Sequence, residues 1–418
     1  MNLLRFSRPG LFGLLLSVAT GILRAAAVDA QGLEGKVLCG YQGWFNTGSD
    51  GAGRGWFHWS KGNKPLGPGT AKIDLWPDVS EFPPEERDAT GFRFPDGTVA
   101  EVFSSYRRGT VLRHFRWMEE AGIDGVFLQR FIVDVQGGEG RRHNDAVLGH
   151  VREGAKASGR VFALMYDLSG LGADSIRKVM DDWSAVDTDG ALTRDSRYLR
   201  HRGRPLVAVW GVGFSDGRKY TIADCARLVD FLHERGCSVM LGVPTYWRER
   251  RNDAVEDPAL EALLRRVEVV SPWTVGRYRS PEQVRRHGER LLEPDLAWCR
   301  SAGVDCLPVV FPGFTWHNMQ GGPSDDIPRL KGGFLWSQFV ELRRRGVGAA
   351  YVAMFDEVDE GTAIFKCRDD VPKDPSATFV GMEGLPSDFY LRLTGEGRRL
   401  LRGEVPVTES APASIRQK

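Results

Sequence analysis

The chain has 418 residues, of which 42% are hydrophobic and 27% are charged. This balance supports a large packed core and excludes a mainly disordered or collagen-like chain. Lys and Arg number 56 and Asp and Glu number 55, so the net charge is +1 and no broad basic surface exists for non-specific nucleic-acid binding.

The first thirty residues have the pattern of a secretory signal. Arg5 and Arg8 precede an apolar run over 11–23, and small residues follow at Ala25–Ala27 and Ala30. The run is shorter than the roughly 20 apolar residues that a membrane span needs. We therefore expect 1–30 to be removed and the protein to be secreted or periplasmic, free of the membrane, with an uncleaved anchor as the alternative.

Six cysteines are too few for a disulfide scaffold, and their spacing contains no C-x-x-C pair and no metal-ligand pattern. Cys225 with Cys237 and Cys299 with Cys306 are the candidate pairs of an exported protein, but we assign no disulfide. The cysteines therefore predict no metal site.

Eight apolar runs, mostly continuous rather than alternating, predict parallel strands that are buried on both faces. They are Lys36–Gln42, Gly125–Phe131, Val161–Tyr166, Pro205–Trp210, Ser238–Pro244, Val267–Trp273, Cys306–Phe311 and Ala349–Phe355. Helical patterns lie between most of them and end at a glycine, which is a common helix stop signal. These helices are predicted at Thr110–Ala121, Asn144–Ser158, Thr221–Arg235, Pro281–Ala302 and Leu335–Arg345.

Eight strand–helix units predict an α/β fold, a (β/α)8 TIM barrel with long loops at its C-terminal face. A doubly wound open sheet is the alternative, but no G-x-G-x-x-G or G-x-x-x-x-G-K-[ST] motif supports a nucleotide-binding sheet. We expect one catalytic domain over 31–402, a flexible tail over 403–418 and an ordered insert over about 43–108. A monomer is expected.

Catalytic and binding groups of such barrels lie at the C-terminal ends of the strands and in the loops that follow. Aromatic side chains collect there beside polar ones, and flat aromatic faces and hydrogen-bonding groups together suit sugar rings. The candidate substrate-binding residues are Tyr41, Trp44, His58, Trp59, Gln129, Arg130, Tyr166, Asp167, Trp210, Tyr246, Trp247, Trp273, Trp316, His317 and Asp356.

The strongest local pattern is a carboxylate cluster directly after the eighth strand. Asp356, Glu357, Asp359 and Glu360 fall within five residues, and their crowding should raise at least one pKa. A protonated acid beside an ionised base is what glycoside cleavage needs. A solvated acidic loop, or a cation site that uses Asp356, Asp359 and Glu360 as oxygen ligands, is the alternative.

The motifs together resemble glycoside hydrolase family 99 and its relatives, which include endo-α-mannosidases. The resemblance covers about residues 36–365. It lies in Gly40–Phe45 (GYQGWF), Trp56–Trp59 (WFHW), His114–Val126, Gly203–Leu206 and the sequence DEVDEGT over Asp356–Thr362, which is similar to the family motif N-E-W-H-E-G-T.

The resemblance implies that Glu357 and Glu360 are the catalytic pair. It implies a retaining reaction in which Glu357 takes the proton of the sugar 2-hydroxyl, and that oxygen forms a 1,2-anhydro sugar. Glu360 would protonate the leaving oxygen and then activate water. No cofactor is implied.

The motif also departs from the family. Its Asn, Trp and His are Asp356, Val358 and Asp359 here, which changes the wall of the site and adds charge. The sequence also resembles chains named xylosidase/arabinosidase and the α-1,3-glucanases of family 71, so the sugar is left open. A carbohydrate-binding barrel without catalysis and a metal-dependent hydrolase are the alternative functions.

Overall fold

The computed structural model describes residues 26–170, 172 and 174–416. Within them, eight parallel strands form one closed sheet, which confirms the predicted (β/α)8 barrel. The strands are β1 (Val37–Tyr41), β2 (Gly125–Phe131), β3 (Val161–Asp167), β4 (Arg204–Trp210), β5 (Ser238–Pro244), β6 (Val269–Trp273), β7 in two pieces (Asp305–Cys306 and Val309–Val310) and β8 (Ala350–Val352).

Each strand pairs in parallel with its neighbour in the chain, and β8 returns to pair with β1 through Val37↔Ala350. The ring closes at β7, whose first piece pairs with β6 and whose second piece pairs with β8. Pro308 lies at the break. It has no N–H to donate, but its carbonyl accepts a hydrogen bond from Tyr351 N at 2.9 Å, so the chain changes partners there.

Helices cover the outside of the barrel. They are α1 (Arg108–Ala121), α2 (Gly138–Ser158), α3 (Ser175–Val186), α4 (Ile222–Glu234), α5 (Ala259–Leu264), α6 (Pro281–His287), α7 (Glu293–Ala302), α8 (His317–Gln320), α9 (Gly333–Arg344) and α10 (Phe389–Leu401). Gly122 ends α1 with φ 76°, a left-handed conformation that favours glycine.

Two helix predictions need correction. The helix expected from Asn144 begins at Gly138, and Asn144 lies inside it with Nδ2 donating to the Gly140 carbonyl at 2.9 Å instead of capping an end. The helix expected over Pro281–Ala302 is interrupted by a π-turn at Gly288–Leu292 between α6 and α7.

The long insert after β1 is ordered and packs on the loop that follows β8. A short antiparallel hairpin, Asp88–Arg93 with Val99–Val102, forms part of it. Backbone N–H groups of Asp74 and Leu75 both donate to the Val358 carbonyl, at 3.0 and 3.2 Å. The insert therefore contacts the acidic loop directly.

The predicted signal segment lies outside the described residues as far as residue 25. Residues 26–30 hydrogen-bond to the barrel, with Val28 N donating to the Gly159 carbonyl at 2.8 Å. In the described part of the chain, no helix is both long and apolar enough to cross a membrane. All six cysteines are free thiols. In the expected tail, the Thr408 carbonyl accepts a hydrogen bond from Trp336 Nε1 at 2.8 Å; its flexibility stays a prediction.

Candidate active site at the barrel mouth

Asp356 links the loop after β8 to the loop after β1. Its two carboxylate oxygens accept the backbone N–H groups of Gln42 at 2.8 Å and Gly43 at 2.9 Å. Gly43 has φ 58°, and an added Cβ would lie 2.8 Å from Val147, so glycine fits this turn. Burial raises the pKa of Asp356 to about 7, although both backbone donors oppose the shift.

Glu357 lies behind this link and is 6% exposed. Its Oε1 accepts Gln42 Nε2 at 2.5 Å, and its Oε2 accepts the Thr362 hydroxyl at 2.6 Å. Burial, and next the charge of Glu360, raise the pKa of Glu357 well above its ordinary value. Both of its oxygens are therefore held by donors in a dry environment.

Glu360 is the partner carboxyl and is partly exposed. Burial and the charge of Asp359 raise its pKa to about 8, while a hydrogen bond from the Trp316 side chain and the charge of Lys72 oppose the shift. Because the two glutamates interact electrostatically, they lose their protons as a pair in two separate steps. In the state between these two steps, one carboxyl is ionised and the other holds its proton, so the pair can serve as base and acid at once.

Asp359 lies beside the pair and is fully buried. Its Oδ2 is 2.8 Å from His58 Nδ1 and 3.8 Å from Lys72 Nζ. His58 in turn stacks on Trp44, with ring centroids 3.6 Å apart and planes 8° apart. Residues of the insert thus form one wall of the site.

Aromatic rings line the rest of the mouth. Trp210 at the end of β4 contacts Trp273 at the end of β6 edge to face, with centroids 5.3 Å apart. Trp44 packs on Phe131 at the end of β2, with centroids 5.1 Å apart. Trp316, which lies in the loop after β7, is 41% exposed. These surfaces suit the C–H faces of sugar rings.

Several buried polar atoms around the mouth have no hydrogen-bond partner among the described residues. Both donors and acceptors occur in this set, and a sugar hydroxyl can serve either. A buried polar group without a partner is costly, so such a cluster indicates a ligand or ordered water. The atoms are Gln42 Oε1, Trp44 Nε1, Gln129 Oε1, Trp210 Nε1 and Asp359 Oδ1.

Gln129 and Asp167 lie on the inner side of the barrel, near the carboxyl pair. Gln129 Nε2 donates to the Tyr351 hydroxyl at 2.9 Å. Asp167 ends β3, and burial raises its pKa to about 6, with the charge of Arg218 opposing the shift. Its charge contributes to the raised pKa of Glu360, which places a further carboxyl near the pair.

Five expected contact residues point elsewhere. Tyr41 hydrogen-bonds His114 Nδ1 at 2.9 Å, and the Tyr166 hydroxyl donates to Asp182 at 2.9 Å, so both face the helices outside the sheet. Alternate residues of a strand face opposite sides, and these two lie on the outer side. The remaining members of this group are buried by other partners; they are Arg130 against Asp182 and Asp145, Trp59 against Phe103, and Trp247 against Trp298.

Tyr246 and His317 lie on loops of the rim. Arg251 lies over the ring of Tyr246, with its guanidinium carbon 4.6 Å from the ring centroid. His317 Nδ1 is 2.6 Å from the Gly322 carbonyl, which gives the imidazole a local partner in its own loop. A sugar contact by either side chain stays a prediction.

Three residues of the site were not among the sequence-based candidates. Gln42 holds Glu357, Lys72 lies 3.3 Å from His58 Nδ1, and Asp74 holds the loop after β7 by accepting Asn318 N at 2.8 Å and the Thr315 hydroxyl at 2.8 Å. Gln42 could have been found from its place at the end of β1. Lys72 and Asp74 follow no strand, and nothing in the local sequence indicates their position.

The carboxylates do not converge as a cation site. Both oxygens of Asp356 accept backbone N–H groups, and Asp359 Oδ2 is occupied by His58, which leaves few free oxygens for a metal ion. In the described part of the chain, no group of three or more Asp, Glu, His or Cys side chains has an arrangement that could hold a metal.

No protein-family model and no curated protein sequence matches this chain. Among solved structures, it is similar to the GH99 endo-α-mannosidase of Bacteroides thetaiotaomicron, seen in two structures with TM-score 0.61 and 14% identity, over 89% of this chain and 98–100% of that one. It also aligns with GH5_18 from Streptomyces cattleya, with TM-score 0.45 and 14% identity over 72% and 77% of the chains. The resemblance expected from the motifs is thus confirmed at the level of the fold.

The assignment of Arg130 to the scaffold predicts a stability effect. Arg130 is 1% exposed and pairs with Asp182, which is 3% exposed. Arg130→Met should leave that buried carboxylate with only the longer contact to Arg141 at 3.4 Å and lower the free energy of unfolding by about 3–5 kcal/mol. Urea denaturation measures this. Arg108→Met, which removes an exposed ion pair with Glu153, is the matched control and should cost less than about 1 kcal/mol. Equal effects of the two substitutions would contradict the scaffold role.

The raised pKa of Glu360 predicts how stability depends on pH. A carboxyl with a folded pKa of about 8 and an ordinary value of 4.5 binds protons more tightly in the folded state. The wild-type protein should therefore lose stability as pH rises from 4.5 to 8, relative to Glu360→Gln, which cannot ionise. Thermal unfolding of both proteins at pH 4.5, 6 and 8 should show that the Tm of Glu360→Gln rises relative to the wild-type Tm as the pH increases. A difference in Tm that does not depend on pH would show that Glu360 has an ordinary pKa.

Proposed function

We propose that this chain is a glycoside hydrolase whose catalytic pair is Glu357 and Glu360. The observation that carries the proposal is the pair itself: a buried and a partly exposed carboxyl that interact on one loop, with a different set of donors at each, inside a mouth lined by aromatic rings. The barrel fold, with its site at the C-terminal ends of the strands, is consistent with this chemistry. The structural similarity to an endo-α-mannosidase supports the same class.

Glu357 is the base. The amide nitrogen of Gln42 can only donate, and the Thr362 hydroxyl donates to the other oxygen, so both contacts become stronger when Glu357 is ionised. These two donors oppose the rise in pKa that burial and the charge of Glu360 cause at Glu357, and we assign the role of base to Glu357 on the geometry of these donors.

Glu360 is the acid. Burial and the charge of Asp359 raise the pKa of Glu360 to about 8, so Glu360 keeps its proton at neutral pH. Glu360 is also partly exposed beside Trp316, where a glycosidic oxygen can reach it. A group that is protonated in the resting enzyme and reachable by substrate is suited to leaving-group protonation.

The reaction follows from these roles. The Glu357 carboxylate takes the proton of the sugar 2-hydroxyl, and that oxygen attacks the anomeric carbon while Glu360 gives its proton to the departing oxygen. A 1,2-anhydro sugar results. Glu360 then takes a proton from water as the water oxygen opens the ring at the anomeric carbon, and Glu357 returns its proton to the 2-oxygen. The anomeric configuration is retained after the two displacements.

The substrate class is a polysaccharide or glycan, and the endo-acting α-mannosidase of similar structure is a functional analogue. The protein would act as a monomer, outside the cytoplasm after removal of residues 1–30, without nucleic acid or membrane as partner. Val358 and Asp359, which replace the Trp and His of the family motif, alter the wall and charge of the site and would give this chain its own sugar preference.

A glycan panel separates this proposal from its alternatives. Incubation with α-mannans, xylans, arabinans and α-1,3-glucan, followed by mass analysis of products, should give cleavage of one class that is unaffected by EDTA. Binding to a glycan without any cleavage would indicate a carbohydrate-binding barrel. Cleavage that EDTA abolishes and a divalent cation restores would indicate a metal-dependent hydrolase.

Substitution of each glutamate tests the pair. Glu357→Gln and Glu360→Gln should each lower kcat on the cleaved glycan by about 10²- to 10⁴-fold, since each removes one partner in acid–base catalysis. Glycan affinity should stay within a few-fold because the shape of the mouth is kept. On an aryl glycoside with a good leaving group, the kcat/KM of Glu360→Gln should recover most of its wild-type value, because departure of that leaving group needs no acid, and the kcat/KM of Glu357→Gln should not recover.

Glu268→Gln is the matched control, since Glu268 is a buried glutamate, 7% exposed, next to the start of β6 at the opposite end of the barrel. It should keep wild-type kcat at temperatures where the variant is folded. Wild-type kcat in both Glu357→Gln and Glu360→Gln would contradict the assignment of the catalytic pair. An equal loss of kcat in these two variants and in Glu268→Gln would contradict it as well.

The pKa of Glu360 predicts the alkaline side of the pH–rate profile. The kcat/KM on a natural glycan should fall above about pH 8 as Glu360 loses the proton that it must donate. The aryl glycoside needs no protonation of its leaving group, so its profile should lack this decline. Profiles that decline together at the same pH would show that another group is responsible.

A further inference from the structure

The imidazole of His58 lies between a carboxylate and an ammonium group. Its Nδ1 is 2.8 Å from Asp359 Oδ2 and 3.3 Å from Lys72 Nζ. One ring nitrogen cannot donate to the first and accept from the second at the same time. The contacts therefore decide which nitrogen of His58 carries the proton.

The shorter contact, to Asp359, determines the tautomer. An Nδ1–H donor facing an ionised carboxylate at 2.8 Å is a charge-assisted hydrogen bond of good length. The opposite tautomer would turn the Nδ1 lone pair toward the carboxylate and retain only the longer contact to Lys72. Lys72 Nζ then lies 3.8 Å from Asp359 Oδ2 and forms an ion pair with it.

This tautomer leaves Nε2 as an acceptor. Burial lowers the pKa of His58, so the ring is neutral at pH 7 and Nε2 carries a lone pair. Among the described residues, no group hydrogen-bonds Nε2, and the side chain is 16% exposed at the mouth. Stacking on Trp44 fixes the plane of the ring.

Two further features point to a ligand here. His58 has φ 63°, a left-handed conformation that non-glycine residues seldom adopt and that is enriched at functional sites. Asp359 Oδ1 is buried and has no partner in the described part of the chain. The wall thus offers two acceptors without a partner among the described residues, His58 Nε2 and Asp359 Oδ1, beside the unpartnered donor Trp44 Nε1.

We propose that Asp359 fixes His58 as the Nδ1–H tautomer, so that His58 Nε2 accepts a hydrogen bond from a free hydroxyl of the bound sugar. His58 is then a specificity-determining residue and Asp359 its positioning residue. The site requires an unsubstituted hydroxyl at that place and rejects a sugar that is deoxygenated, O-methylated or O-acylated there. This inference rests on the proposed function for its substrate and on the free protein for its tautomer.

The tautomer is measured without substrate. Long-range ¹H–¹⁵N correlation spectra of histidine-labelled protein at pH 7, with the His58 signals assigned from the His58→Gln variant, should show a protonated Nδ1 and an unprotonated Nε2. Asp359→Asn removes the carboxylate charge that favours Nδ1–H, and Lys72 Nζ, 3.3 Å from Nδ1, then favours a lone pair on Nδ1, so the proton should shift to Nε2. A wild-type His58 protonated at Nε2, or one that Asp359→Asn does not change, would overturn the proposal.

Asp305→Asn is the matched control. His201 Nε2 is 2.8 Å from Asp305 at the opposite end of the barrel, which makes a second His–Asp pair outside the site. Its substitution should leave the His58 signals and the activity unchanged. A change in His58 signals with Asp305→Asn would show a general effect of lost charge and would also overturn the proposal.

Activity then tests the acceptor. On the glycan that the wild-type protein cleaves, His58→Phe and Asp359→Asn should each lower kcat/KM by about 10- to 100-fold, the cost of one lost or reversed hydrogen bond at a buried site. His58→Gln, which keeps an acceptor, should recover part of the lost kcat/KM. Deoxy or O-methyl analogues of the sugar should lose the same factor with the wild-type protein and lose little more with His58→Phe. Unchanged kcat/KM in both variants would overturn the role.

Failure of the proposed function can be distinguished from failure of the inference about His58. If the wild-type protein cleaves no glycan, the proposed function fails, and the acceptor is then tested by titrating methyl α-D-mannopyranoside, methyl α-D-glucopyranoside and methyl α-D-xylopyranoside into the labelled protein. At least one should shift the His58 Nε2 signal in the wild-type protein and not in Asp359→Asn. No shift with any of the three would overturn the inference as well.

Discussion

The site depends on the two hydrogen bonds that the Asp356 carboxylate accepts from the backbone N–H groups of Gln42 and Gly43. They join the loop after the last strand of the barrel to the loop after the first, and so bring the Gln42 amide to Glu357. The link requires a buried carboxylate with a pKa raised to about 7 by burial. The buried Asp356 carboxylate and the pair Glu357 and Glu360 each lower the stability of the fold, and together they set the arrangement of charges at the mouth.

Much of the barrel could be predicted from the sequence because parallel strands buried on both faces appear as continuous apolar runs. The runs Gly125–Phe131 and Ser238–Pro244 match β2 and β5 residue for residue. The same continuity hides which side of the sheet each residue faces. This is why Tyr41 and Tyr166 were assigned to the mouth although their hydroxyls contact His114 and Asp182 outside the sheet.

The acidic loop itself could be located from the sequence, since four carboxyls after a buried strand leave few interpretations. The residues that contact this loop could not be located in the same way. His58 and Lys72 reach Asp359 from the insert across about 300 positions of sequence, as the separation of 301 residues for His58 shows. A histidine among aromatic residues and a lysine in a loop carry no local sign of such contacts. The family motif has a histidine at the position of Asp359, and here an imidazole from the insert lies against that position instead.

The central claim is that Glu357 and Glu360 share one proton at neutral pH and that Glu360 holds it. The most direct test is a pH titration of the side-chain carboxyl carbons in ¹³C-glutamate-labelled protein, with each signal assigned from its Gln variant. The account predicts that at pH 7 Glu357 is ionised and Glu360 is protonated, and that Glu360 ionises near pH 8. Two independent titrations near the ordinary value of 4.5 would contradict it.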